Sequence, residues 1–107
     1  MIRIVAIDDH PVITEGLARW ADQLEHLALV GVAHTLDALP ELLDEQPDVL
    51  VLDYRMPGAK GVPSFVNIAE RGYAVVVFSS IEEVEIISAL EAGGVRAFVP
   101  KSSPIRE

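Results

Sequence analysis

Two runs in this chain are apolar at every position: VLVL at Val49–Leu52 and AVVVF at Ala74–Phe78. A strand with one wet face alternates polar and apolar residues, so a continuous β-branched run needs cover on both faces, as in a parallel sheet between layers of helices. Two further runs, IRIVAI at Ile2–Ile7 and LALVGVA at Leu27–Ala33, and a short AFV at Ala97–Val99 complete a set of candidate strands. With 107 residues, 50% hydrophobic and 23% charged, the chain is long enough for one globular domain with a real core.

Between the strands the apolar residues take a helical period. Ile13, Leu17, Trp20 and Leu24 recur at spacings of four, three and four, with Thr14, Glu15, Arg19 and Asp22 on the wetter side. The second helix is expected to start at Asp37 rather than Thr35, because an Asp37 N-cap puts Pro40 in the first turn, where its missing N–H costs little; Leu39, Leu42 and Leu43 then face the sheet. Two more helices are expected from about Ser64 to Arg71 and from Glu82 to Ala92, the latter opening on acids and closing at Gly93-Gly94. Its Val84, Ile86, Ile87 and Leu90 exceed one buried stripe, as an interaction face or ordinary surface. Strands alternating with helices imply right-handed crossovers, and ligands in such sheets bind beyond the carboxyl ends of the strands.

The totals exclude several functions. Zero cysteines rule out disulfides and thiolate chemistry. Seventeen acidic against eight basic residues give a net charge of −9, which repels nucleic acid and anionic membranes. The start, MIRIVAIDDHP, carries acids where a signal peptide needs an apolar core, and no run approaches the roughly 20 apolar residues that cross a bilayer. A cytoplasmic protein without membrane contact is expected.

The carboxyl ends carry chemistry. Strand one ends in Asp8-Asp9, strand three in Asp53, strand four in Ser79-Ser80, and Lys101 follows strand five. One acid after a strand is commonly a helix cap, but three acids, a hydroxyl and a lysine at one sheet edge form a set. Such a cluster repels itself unless a cation neutralises it, and its oxygen donors suit Mg²⁺. Beside that ion, Asp53 can attack phosphorus to give an aspartyl phosphate, with Lys101 and Ser79 contacting two phosphoryl oxygens. His10, His26 and His34 are dispersed and read as loop or surface residues.

These residues resemble the receiver domains of bacterial two-component response regulators over nearly the whole chain. VAIDDHP is similar to the family's acidic pair, VLVLDYRMPGAKG to its phospho-acceptor segment with Asp53 as acceptor, VVVFSS to its switch hydroxyl at Ser79, and AGGVRAFVPKS to its last strand, with Phe98 as switch aromatic and Lys101 as its lysine. The resemblance implies a flavodoxin-like open parallel sheet of order 2-1-3-4-5 with helices on both faces. It implies Mg²⁺ held by Asp9, Asp53 and the backbone carbonyl of Arg55, with Asp8 acting through water. DDHPV looks most like the branch whose receivers precede a helix-turn-helix effector domain of the LuxR/NarL/FixJ type. The implied partners are a sensor histidine kinase and, when active, a second copy, with DNA reached only through an effector domain absent from this chain.

Departures from the family pattern are an extra glycine at Gly93-Gly94, read as a benign loop change, and Lys60 where an acid is frequent. The chain also stops at Glu107, where a fifth helix is expected, so residues 1–107 read as a C-terminally truncated receiver with KSSPIRE beginning a linker. Without that helix, a flank of the first and last strands is expected to lie bare. Rival readings are a phosphorylation-independent dimerisation module and an aspartyl-phosphate phosphatase. The first needs a missing catalytic residue and none is missing; the second needs an acid where Arg55 stands. A nucleotide- or flavin-binding module is disfavoured by the acidic pair where a glycine-rich loop belongs.

Overall fold

A computed structural model describes residues 1–80 and 83–101. Five strands, β1 (Ile2–Ile7), β2 (Leu27–Ala33), β3 (Val49–Leu52), β4 (Ala74–Ser79) and β5 (Ala97–Pro100), form one parallel sheet in the order β2-β1-β3-β4-β5. The first three have the expected limits. The other two each run one residue further, which brings Ser79 into the ladder opposite Pro100. The helices are α1 (Pro11–Asp22), α2 (Leu39–Leu42), α3 (Val62–Glu70) and α4 (Val84–Ala92). This is the flavodoxin-like arrangement, with four α-helices among the described residues. The expectations for a fifth helix, for a linker from Ser102 onward and for Glu82 at the head of α4 lie outside the described residues.

Handedness distributes the helices. The crossover from β1 to β2 runs toward one edge of the sheet, whereas those from β2 to β3, β3 to β4 and β4 to β5 run toward the other. With every crossover right-handed, α1 lies on one face and α2, α3 and α4 on the opposite one. The latter face carries the core: Val5, Ile7, Leu50, Leu52, Val75 and Val77 are solvent-free and pack with Leu39, Phe65, Ile68, Leu90 and Val95. On the opposite face Ile4, Val49, Val51 and Val76 are half-buried while Ala6 and Phe78 are buried, so the cover there is thinner over parts of β1, β3 and β4.

Three local expectations are corrected. Thr35, not Asp37, caps the second helical segment: its hydroxyl accepts from the backbone N–H of Asp37 at 3.3 Å and donates to the Pro57 carbonyl at 3.0 Å. A 3₁₀ turn over Leu36–Ala38 then precedes α2, whose first turn still holds Pro40, and a second 3₁₀ turn over Leu43–Glu45 follows it. Leu39 is buried and Leu42 and Leu43 pack against the core, as their spacing implies. In α1, Thr14 is buried, because its hydroxyl donates to the Pro11 carbonyl at 3.0 Å and is thereby freed from water. The helix α3 starts two residues early, with Pro63 in its first turn, the position that tolerates a missing N–H.

The extra glycine is not a benign loop change. Gly93 ends α4 where α3 passes close, and a Cβ there would overlap the Val66 side chain, whereas a Cβ on Gly16 in α1 meets nothing within 4 Å. Gly93→Ala should therefore lose about 1–3 kcal/mol through overpacking. Gly16→Ala should gain about 0.5–1 kcal/mol through helix propensity. Urea unfolding of both variants checks the opposite signs.

Candidate functional site

The crossovers reverse direction between β1 and β3, and the crevice at such a reversal is where open sheets of this kind bind ligands. Pairing of Ile7 with Leu52 ends both strands at one level, and the ladder continues as Asp53 N–H donates to the Ile7 carbonyl at 3.0 Å. Asp8 N–H donates to the Ala33 carbonyl of β2 at 3.1 Å. Asp8 and Asp53 thus leave adjacent strands side by side, both 3% exposed. On the other side, Lys101 N–H donates to the Ser79 carbonyl at 3.0 Å, which ties the residue after β5 to the end of β4.

The lysine reaches back across the sheet edge. Its Nζ lies 3.0 Å from Asp8 Oδ2, 3.3 Å from Asp8 Oδ1 and 3.2 Å from Asp53 Oδ2. The Asp8 Oδ2 contact is out of hydrogen-bonding alignment, so this buried oxygen has charge compensation but no hydrogen bond among the described residues. Burial, then the neighbouring Asp8 charge, push the Asp53 carboxyl above its ordinary value; Lys101 and a long 3.4 Å bond from Arg55 N–H oppose the rise.

Of the residues predicted from sequence, Asp8, Asp9, Asp53 and Lys101 come together. One oxygen each of Asp8, Asp9 and Asp53, with a ring nitrogen of His10, lie within 4.8 Å of one another. At that separation two carboxylates repel by roughly 3 kcal/mol at an effective dielectric of 20. Three carboxylates against one ammonium leave two negative charges uncompensated, which fits a divalent cation, and a buried oxygen without a hydrogen bond fits a metal ligand. Ser79 ends β4 at the same edge, 1% exposed, and its hydroxyl makes no hydrogen bond to a described residue. Phe98 pairs with Val77 across β4 and β5 and is half-buried against the core.

His10 corrects the sequence reading. It is not a plain surface residue: Nδ1 lies 2.9 Å from Asp8 Oδ1, 3.1 Å from Asp9 Oδ1, 3.7 Å from Asp53 Oδ2 and 3.1 Å from Lys101 Nζ. The signal available in sequence was adjacency to the acidic pair. His26 and His34 are exposed, as expected. Arg55 was singled out for its carbonyl and as the residue standing where a phosphatase needs an acid; its side chain also pairs with Glu83 at 3.2 Å and joins the loops after β3 and β4. Beneath it, Tyr54 stacks on Phe65 at 5.4 Å, and Gly58 and Gly61 take the positive φ values, 90° and 80°, that the Met56–Gly61 turn requires. The Pro57 carbonyl of that turn also accepts from Leu36 N–H at 2.8 Å, which ties the loop to the 3₁₀ turn before α2. Lys60 is exposed, and its backbone N–H donates to the Ser64 hydroxyl at 2.8 Å. No helix among the described residues is long and apolar enough to cross a membrane.

Comparison with known proteins agrees with this fold. The sequence matches the response regulator receiver domain over residues 4–107. It is 35% identical over 105 residues to the probable transcriptional regulatory protein NarL of Mycobacterium tuberculosis, covering 95% of this chain and 49% of that protein. It is 39% identical over 99 residues to a protein-glutamate methylesterase/protein-glutamine glutaminase of Myxococcus xanthus, covering 88% of this chain and 28% of that protein. Among solved structures, the signal receiver domain of the putative NarL of M. tuberculosis superposes with a TM-score of 0.85 at 32% identity, covering 96% of this chain and 86% of that one. The chain spans about half or less of these curated relatives.

The raised Asp53 carboxyl carries a stability prediction. A proton held more tightly in the fold than in the unfolded chain contributes stability at low pH, and that contribution is lost as pH rises through the folded value. At neutral pH the ionised Asp53 opposes folding. In chelator, Asp53→Asn should raise Tm at pH 7, and the gain should shrink as pH falls into the carboxylate range; a lower Tm for the variant at pH 7 would contradict the assignment.

Proposed function

The chain belongs to the response regulator receiver domain family, and on that premise we propose that it is a phosphorylation-dependent switch whose acceptor is Asp53. The observation that carries the reading is the buried Asp53 carboxylate held between Asp8 and Lys101 where the crossovers reverse. A carboxylate kept out of water and pushed toward its neutral form is a reactive acceptor once the surrounding negative charge is neutralised.

Asp8, Asp9, Asp53 and the Arg55 carbonyl would hold Mg²⁺, with Asp8 acting through water. When bound, that ion supplies positive charge that screens the incoming phosphoryl oxygens from the acids. One Asp53 oxygen forms the new O–P bond as the P–N bond to the histidine of a sensor kinase breaks, and the electron pair returns to that imidazole. Lys101, already 3.2 Å from Asp53 Oδ2, offers its ammonium to a phosphoryl oxygen. Ser79, whose buried hydroxyl lacks a described partner, donates to another. Such contacts exist only after phosphorylation and so bias one conformer over the other; moving a population from one to ninety-nine per cent takes roughly 5.5 kcal/mol. Phe98, half-buried beside β4, is the proposed aromatic follower of Ser79.

The domain itself is not a classical enzyme; its chemistry is its own phosphorylation and dephosphorylation. The likeness to NarL-type regulators supports a cytoplasmic protein that dimerises when active and drives a DNA-binding effector domain. The net charge of −9 supports DNA contact through that effector alone.

Intact mass after incubation with acetyl phosphate should show one Mg²⁺-dependent phosphoryl adduct that Asp53→Asn abolishes. Asp9→Ala should raise the Mg²⁺ concentration needed, and Lys101→Ala should accept some phosphoryl while losing phosphorylation-dependent dimerisation. Normal labelling of Asp53→Asn at no other site would overturn the assignment.

A further inference from the structure

Side chains at a helix start usually serve the helix. His10 stands at the N-cap of α1 but makes no side-chain cap bond, and Asn, Asp, Ser or Thr would serve that position better. Its backbone N–H already donates to Asp8 Oδ1 at 2.9 Å, so positioning of Asp8 does not depend on the ring. The imidazole instead turns into the carboxylate cluster, although 58% of the side chain is exposed and has water available.

The distances fit ligation. Donors on adjacent corners of an octahedron about 2.1 Å from its centre are about 3.0 Å apart, against about 3.3 Å for a tetrahedron of similar radius. His10 Nδ1 is 3.1 Å from Asp9 Oδ1, a direct acid of the proposed set, with Asp53 Oδ2 further off at 3.7 Å; its 2.9 Å contact with Asp8 Oδ1 is a hydrogen-bond distance to the acid that acts through water. Two independent observations mark the point as a cation position. The Lys101 ammonium lies 3.0–3.3 Å from Asp8, Asp53 and this same ring nitrogen, and the buried Asp8 Oδ2 has no hydrogen bond among the described residues.

We propose that His10 is a direct nitrogen ligand to the divalent cation of this site, and that the resulting oxygen–nitrogen set favours octahedral first-row ions such as Co²⁺ or Ni²⁺ over Mg²⁺. This rests on the acidic cluster being the metal site of the proposed switch. Imidazole suits the first-row ions and adds little for Mg²⁺, which prefers oxygen and retains water. The neutral ring must then carry its proton on Nε2 and leave Nδ1 free.

Calorimetric titration of the whole chain with Co²⁺ and with Mg²⁺ separates ligation from support. Wild type should bind Co²⁺ at least tenfold more tightly than Mg²⁺, and His10→Ala should lower the Co²⁺/Mg²⁺ affinity ratio at least tenfold. The visible absorption of bound Co²⁺ should change with it. His10→Gln, which keeps bulk and polarity, should show the same loss. An unchanged ratio and spectrum in both variants, with Mg²⁺ binding that Asp9→Ala removes, would overturn the His10 ligand and leave the metal site standing. Failure of wild type to bind either ion would overturn the metal site as well.

Discussion

The carboxyl edge of the sheet depends on one ammonium group. Asp8 and Asp53 are forced together because β1 and β3 end at the same level, and the backbone pairing that buries their stems also removes the water that would screen them. Lys101 is the cation that reaches both, and it does so from the far side of β4, on a backbone anchored to the Ser79 carbonyl. Removing Lys101 would leave two buried carboxylates facing each other without that cation, which costs more than the pair contributes. The edge is therefore held by an arrangement that is adequate and not optimal: one positive charge among three carboxylates. That shortfall fits a divalent cation, and burial together with the neighbouring Asp8 charge raises the proton affinity of Asp53.

Much of this was legible because the physical signals were of long range in sequence. Short β-branched apolar runs bounded by polar or turn residues fit strands, two of them covered on both faces, and the five runs have limits within one residue of those observed. The site residues were legible for the same reason, since strand ends in a parallel sheet all arrive at one edge. What was not legible was set by short-range competition. At Thr35 and Asp37 two good capping residues compete, and the winner is decided by Pro57, twenty-two residues away, whose carbonyl the Thr35 hydroxyl also reaches. Thr14 looked wet by residue type and is dry because it bonds within its own helix. His10 was passed over as one of three scattered histidines; its direction follows from the loop that carries Asp8 and Asp9, which no periodicity reports.

The two faces of the sheet answer to different constraints. Opposite crossovers place α1 alone against one face, while the other face carries the tightly packed core around Phe65 and Leu90, in which α3 and α4 approach so closely at Gly93 that a methyl group has no room. Loops follow Asp53 and Ser79 at the carboxyl ends of β3 and β4. They are joined by the Arg55–Glu83 pair and braced on the other flank by the bonds that Thr35 and Leu36 make to Pro57. A rigid floor with tethered rims suits a site in which charges must stay close despite repulsion.

The bond from Lys101 N–H to the Ser79 carbonyl makes a single rocker of two residues with different duties. The side chain that neutralises Asp53 and the hydroxyl that would read its modification belong to the two residues joined by one backbone hydrogen bond, so movement of either strains the other. In the proposed switch, a shift of Ser79 toward Asp53 would pass to β5, the outermost strand, so that sensing at the centre and displacement at the rim would be two views of one short lever.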